Sequence, residues 1–422
     1  MKLLAGLLPK EPGRGFVRDT LTLGAGMALA QAVMLAVLPL WSRLYGPADF
    51  GRYGVWTAVA GIVAILLTLR LDNCIVIARD DAQARALVRL CLWLALGGGA
   101  VLALLAWAAP PAWRAGIGVD LLGDWLPLAV LGGALTAVVA TLQHAANRQR
   151  AYRRMSLSRI ALALAAAAAG SLLGAAGVAS GMLVAALVGS FAAWGVLVGT
   201  SGDGAPRPRP AEMAQAARAH ADAPRYLWPS ALLDVVTQQL PLLLIAAWYA
   251  QEAAGQFSLA WRVLALPLFM LAGAAGSVFY QRMAALAQQP REARALLLHT
   301  WRLFALLGAA PALLVMGWGE ELFALLFGAP WRPAGRMAEL LMPLLWVMFV
   351  SSPTSTSLIV LGLQKWSPLF GLALLACRPL AFWLGARFGS LDAGLHAWVL
   401  AEITVILLYN LLILRRLRHW GH

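Results

Sequence analysis

Polar and apolar positions fall in long blocks along this chain. Twelve stretches dominated by Leu, Ala, Val and Gly are separated by short polar or charged segments. They cover approximately residues 17–41, 52–71, 87–108, 124–145, 157–175, 178–199, 228–249, 256–281, 299–318, 338–362, 367–386 and 393–414. A helix needs about 20 residues to cross the hydrocarbon core of a bilayer. All twelve meet that need, the fifth being short and rich in Ala. Trp41, Trp56, Trp107, Trp125, Trp228, Trp248, Trp318, Trp366 and Trp398 lie near the ends of these blocks, where amphipathic rings settle at the membrane interface. The pattern predicts an all-α polytopic membrane protein of twelve transmembrane helices.

The connecting segments are short, and the two longest on one side, 109–123 and 319–337, are too small to be domains. One hydrophilic interruption stands out at 200–227, with Pro206, Pro208, Pro210, Asp203, Glu212 and several Arg. It divides the chain into an N-terminal bundle, 1–199, a cytoplasmic linker, 200–227, and a C-terminal bundle, 228–422, each bundle with six helices. A faint repeat supports the cut. Tyr45-Gly-Pro-Ala-Asp-Phe-Gly-Arg-Tyr53 aligns with Tyr249-Ala-Gln-Glu-Ala-Ala-Gly-Gln-Phe257, and Ala84-Arg-Ala-Leu87 with Ala293-Arg-Ala-Leu296 at nearly the same offset. Two six-helix bundles facing a central cleft form a transporter architecture. Pro39 and Pro241 fall near corresponding positions of the repeat. Such paired interruptions suit hinges along a substrate path, although Pro is frequent throughout these helices.

Charge orients the chain. With the N-terminus inside, the inner segments hold 25 of the 33 Lys and Arg, and the outer ones hold Arg43, Arg52, Arg114, Arg332, Arg336 and Arg387. Retention of basic loops in the cytoplasm produces this bias, so both termini are expected there. The chain is 61% hydrophobic and only 12% charged, against about 25% charged in soluble domains. The formal charge of +14 therefore points to anionic lipid headgroups, not to nucleic acid. Met1 to Leu8 is too short an apolar run for a secretory leader, so the first helix is expected to remain as an uncleaved anchor. Cys74, Cys91 and Cys377 have no paired spacing, and His144 and His396 are isolated. No metal or cofactor site is expected, and no Gly-Lys-Ser/Thr phosphate loop occurs.

The first ninety residues carry a resemblance. The stretches Thr22–Gln31, Pro39–Gly51 and Leu69–Asp72 with Ile75-Val-Ile77 resemble the Wzx-type polysaccharide-unit flippases. These belong to the MOP superfamily, which also holds the MurJ lipid II flippase and the MATE exporters. The turn Arg43-x-x-x-Pro47-x-x-Phe50-Gly51 is the most specific piece. Ala146–Ser158 and Leu326–Trp331 add to it. The chain ends after twelve stretches, without the two further C-terminal helices of MurJ-like members. The resemblance implies movement of polyprenyl-diphosphate-linked oligosaccharide from the cytoplasmic to the periplasmic leaflet of a bacterial inner membrane, by alternating access. It implies membrane lipids as partners, with a polysaccharide polymerase and chain-length proteins as candidates.

Such a substrate pairs a doubly anionic headgroup with an apolar tail, and the planar guanidinium of Arg suits the phosphates. Arg262, inside the eighth stretch with no acid at i±3 or i±4, is the leading candidate; a structural partner such as Asp234 is the competing reading. Arg43 and Arg52 bracket the first outer turn and read either as phosphate contacts or as side chains reaching the interface. Arg70 and Asp72 close the second stretch, as a loop anchor or as an inner gate. Arg14 and Arg18 could gather substrate or simply set topology. Asp234, with Gln238 and Gln239 nearby, and Asp72 are the candidate coupling acids; Gln31 and Asn73 could add polar lining. Arg378 and Glu402, at similar depth on neighbouring helices, are expected to form a structural ion pair. Gly170, Gly174, Gly177 and Gly181 have the spacing of close helix contact. Two rivals remain: an ion-coupled MATE-type drug or cation exporter, which predicts more acids than arginines along the path, and a membrane glycan polymerase or ligase, which would need a larger outer loop.

Overall fold

The computed structural model describes residues 13–198, 208–286, 289–363 and 366–418. The described residues are almost all helical, with short turns between helices and no strand. The first helices are α1 (Gly13–Leu44), α2 (Pro47–Thr68), the short α3 (Leu71–Ile77) and α4 (Asp81–Trp93). A π-helical turn, Leu94–Gly98, carries α4 into α5 (Gly99–Ala108). There follow α6 (Pro111–Gly116), α7 (Leu126–Arg148), α8 (Tyr152–Ala175), α9 (Gly181–Leu197) and α10 (Pro210–Ala219). The remainder comprises α11 (Trp228–Trp248), α12 (Gln251–Ala285), α13 (Pro290–Phe327), α14 (Arg332–Ser351), α15 (Ser357–Val360), α16 (Ser367–Arg387) and α17 (Leu391–Arg418). Among the described residues, eleven helices are long and apolar enough to cross a membrane, and Gly181–Leu197 is a shorter apolar helix.

Local chemistry explains the departures from the expected spans. The second stretch was expected to run to residue 71; α2 stops at Thr68 because Leu69 and Arg70 take left-handed backbone, with φ of 50° and 59°. Asp72 and Asn73 therefore lie in α3, a separate helix. The tenth stretch was expected to reach 362, but α14 ends at Ser351 and a 3₁₀ turn covers Ser352–Thr354. Pro353 offers no N–H to continue the ladder, and the Thr354 hydroxyl donates to the Ser351 carbonyl at 2.9 Å, competing for a backbone acceptor. Conversely, much of the expected outer segment 319–337 is helical. α13 continues through a kink at Trp318 (φ −142°) to Phe327. Of the 200–227 segment, 200–207 lie outside the described residues, as do Lys2, Lys10 and Lys365. The rest folds into α10, where Glu212 accepts the Arg209 N–H at 2.8 Å and Ala216 is buried in an apolar cluster with Leu87 of α4.

The chain forms two compact units. One contains Met1–Tyr45, Trp56–Pro110 and Leu122–Val235; the other contains Gly46–Val55, Pro111–Leu121 and Val236–His422. Their boundary falls within α11, and the tip of α2 belongs to the second unit.

The repeat seen in the sequence has a physical counterpart. In the first unit, the Tyr45 hydroxyl donates to the Gly170 carbonyl at 2.6 Å, and its ring closes on Gly174 and Gly181 around the α8–α9 turn. In the second unit, Tyr249 donates to the Phe382 carbonyl at 2.9 Å and its hydroxyl sits against Gly385 and Gly394 around the α16–α17 turn. The aligned tyrosines thus dock their following helix pairs in the same way. Only residues without a Cβ admit the rings this closely, which accounts for part of the glycine spacing in α8 and α9.

The aligned glycines meet directly inside the second unit. A Cβ on Gly51 would lie 2.5 Å from the Gln251 carbonyl oxygen, and one on Gly255 would collide with the Pro47 carbonyl oxygen. Pro47 aligns with Gln251 and Gly51 with Gly255, so the crossing of α2 and α12 is reciprocal. Gln251 ties it by donating its amide to the Ala48 carbonyl at 3.1 Å.

Candidate functional site

The Gly51–Gly255 crossing positions the leading cationic candidate. Two turns beyond Gly255, Arg262 is half-buried on α12, and its guanidinium lies 4.5 Å from the centroid of the buried Tyr53 ring on α2. The aromatic face stabilises a cation by about 0.5–2 kcal/mol depending on desolvation, and the planar guanidinium is a group suited to oxyanions.

Arg378 and Glu402 meet in the second unit as a buried pair, 6% and 1% exposed. Arg378 donates through Nη2 to Oε1 at 2.6 Å and through Nε to Oε2 at 3.0 Å. The Trp398 indole N–H also donates to Glu402, and the Arg378 guanidinium lies 5.8 Å from the centre of the Trp398 ring. A third donor, Nη1, goes to the Thr237 carbonyl on α11. That acceptor has a specific origin. Residue 241 is Pro, so the N–H that would normally bond the carbonyl four residues back does not exist. The arginine supplies a donor that the helix lacks and ties α11 to α16 and α17. The charge of the arginine is matched, and every contact of the cluster lies within the second unit.

A second polar cluster lies in the first unit, where α2 gives way to α3. Asp72 is 3% exposed, and its Oδ2 lies 3.7 Å from Nε2 of His144 on α7. Arg70 immediately precedes α3. At the far end of α3, Arg148 donates to the carbonyls of Ile75, Val76 and Ala78 and pairs with Asp81 at 3.0 Å. The sequence reading treated His144 as isolated; the structure corrects this, since α7 carries it to a carboxylate 72 positions away.

The other candidates lie on α1, α2, α3 and α11. Arg43 is exposed at the end of α1, Arg52 is half-buried in the tip of α2, and Asp234 and Gln238 are exposed on α11. Asp234 belongs to the first unit and Arg262 to the second. Gln31 on α1 and Asn73 on α3 are half-buried. No group of three His, Cys, Asp or Glu able to hold a metal occurs among the described residues. The second unit also holds a largely apolar cavity of about 340 Å³, lined by Phe269, Phe370, Leu374, Ile406 and Tyr409 together with Ser351, Ser352 and Ser355. Its lining contains no charged side chain. Sequence reasoning missed Tyr53, Trp398, the Thr237 carbonyl and this serine-lined turn. Spacing offered clues to two of them: Trp398 is four residues before Glu402, and Thr237 is four before Pro241.

Solved structures place the fold. An inward-facing multidrug resistance MATE family transporter of the MOP superfamily matches with a TM-score of 0.71 at 17% identity, covering 92% of this chain and 95% of that one. A MATE structure in complex with MaL6 gives 0.57 at 15% identity over 95% and 96% of the two chains. A MOP superfamily transporter from Pyrococcus furiosus Vc1, described by the reverse polarity of its binding pocket, gives 0.51 at 13% over 96% of each. The chain therefore shares the fold of these MOP-superfamily transporters. No curated protein matches the sequence. Residues 40–336 match the polysaccharide biosynthesis protein family model, and the chain belongs to that family.

Proposed function

We propose that this protein moves polyprenyl-diphosphate-linked oligosaccharide units from the cytoplasmic to the periplasmic leaflet of a bacterial inner membrane. Twelve helices in two six-helix bundles, 1–199 and 228–422, joined by the cytoplasmic linker 200–227, alternate access to a central cleft, with both termini cytoplasmic. The observation that carries the reading is Arg262, a half-buried guanidinium on a membrane helix, set over Tyr53 in a chain of a polysaccharide biosynthesis family. Ionisable side chains within membrane helices commonly mark substrate or ion pathways. In this reading Arg262, with Arg43, Arg52 and Arg70, meets the diphosphate or acidic sugars. Asp234 and Asp72 serve coupling to an ion gradient, and Arg378 with Glu402 holds the second unit together.

Arg262→Ala is expected to lower the restored flux of polysaccharide by roughly 10- to 100-fold, the loss of one charge-assisted contact of about 1.5–3 kcal/mol. Arg262→Lys retains the charge but not the fork and should fall between. The measurement is surface polysaccharide in a deletion strain carrying each variant at matched membrane abundance. Equal restoration by Arg262→Ala would remove the arginine from the substrate path.

The MATE-like fold favours a second reading, an ion-coupled exporter of drugs or cations. It predicts that deletion raises drug sensitivity and leaves polysaccharide intact.

A further inference from the structure

We propose that Asp72 and His144 form a proton-binding pair in the first unit. The inference rests on the transporter reading, in which Asp72 is a coupling acid, and adds its partner and its ligand, a proton.

Two independent observations meet at this point of the fold. The first is an incomplete polar environment. Asp72 is 3% exposed; its Oδ2 faces His144 Nε2 at 3.7 Å, and its Oδ1 has no hydrogen-bond partner. A buried carboxylate with an oxygen unmatched by any donor is a poor resting place for a full negative charge. The second is the backbone. Leu69 and Arg70, neither of them glycine, hold φ of 50° and 59° in succession just before α3. Left-handed conformations of such residues cost about 1–3 kcal/mol each and collect at switch regions.

The surroundings leave the pair as the group able to take up a proton. Arg70 faces it from its own turn, and its charge reaches His144. From α7 come His144 and, one turn on, Arg148, whose donors are committed to the end of α3 and to Asp81. From α4 comes the buried Cys91 thiol, and from α3 itself Cys74, whose sulfur donates to the Arg70 carbonyl. The π-helical turn Ala223–Leu227, also packed on α3, carries Arg225, which lies over the Tyr226 ring. The cations are permanent and the thiols buried.

A proton entering from the cytoplasmic side meets His144 first, whose side chain is 32% exposed against 4% for Asp72. On the imidazole it creates an ion pair with Asp72; on the carboxyl it creates an O–H. Either way the uncompensated charge is removed, and the proton returns to solvent when the pair is deprotonated.

The test is a pH titration of the purified full-length protein in nanodiscs by NMR of ¹³C-histidine. His144 is assigned by the signal missing from His144→Gln among the 6 histidines. The resonance should move between about pH 5 and pH 8, and Asp72→Asn, which keeps the shape, should displace its midpoint by about 1 unit or more. An unmoving resonance, or the same midpoint in both proteins, overturns the pair. If Asp72→Asn does not fold, infrared detection of a pH-dependent carboxyl band absent from Asp72→Glu at the same frequency gives the same decision. No substrate is needed, so a negative result leaves the flippase reading standing, whereas an intact titration in a protein that fails to restore polysaccharide counts against that reading alone.

Discussion

Arg378→Gln is expected to destabilise the second unit by about 3–5 kcal/mol, the cost of leaving a buried charge without its partner. Glu402 would stay at 1% exposure with only the Trp398 indole to answer it. The Thr237 carbonyl would lose the donor that substitutes for the N–H missing at Pro241. Membrane abundance and the thermal midpoint in detergent should both fall. Removing both charges with Arg378→Met and Glu402→Gln together should recover much of the loss, because well-packed neutral groups often replace a buried pair without penalty. Pro241→Ala provides a separate check. It gives α11 an N–H able to bond Thr237, so the variant should tolerate Arg378→Gln better than the parent does. Single variants as stable as the parent would show that the pair carries no structural weight.

Gly255→Val is expected to disrupt the crossing of α2 and α12. Its Cβ would run into the Pro47 carbonyl oxygen and lie 2.9 Å from the Gly51 nitrogen. Both obstacles are backbone, so no side chain can swing aside. Overpacking of this kind costs about 1–3 kcal/mol and more where the backbone must move. Opening the crossing also separates Arg262 from Tyr53, so transport should fail along with stability. Gly273→Ala on the same helix is the control: nothing lies within 4 Å of its added carbon, and alanine is the better helix former by about 1 kcal/mol. Thermal melting and polysaccharide restoration by the two variants measure the difference. Equal behaviour would mean that the glycine contact is incidental.

The membrane-spanning pattern was legible because the bilayer demands long apolar helices, and hydropathy reports that demand directly. The ends were less so. α2 stops on two left-handed residues that carry no glycine signal, and α14 stops at a serine-rich turn that hydropathy alone reads as continuous. The Arg378–Glu402 pair could be anticipated because two opposite charges at one depth have few alternatives to each other. His144 could not, since its partner is defined by the packing of α3 on α7 rather than by spacing. Arg262 stood out by composition, but its Tyr53 surface depends on a crossing that only the aligned glycines hinted at. Asp234 and Arg43 remain assigned by residue type and position along the chain.

The central claim is that the chain carries lipid-linked oligosaccharide across the membrane. Its most direct test is the pool of polyprenyl-diphosphate oligosaccharide on the cytoplasmic leaflet, measured after deletion of the gene and again after restoring the wild-type protein. The pool is expected to accumulate on deletion and surface polysaccharide to fall, with restoration reversing both. An unchanged pool and unchanged polysaccharide would contradict it.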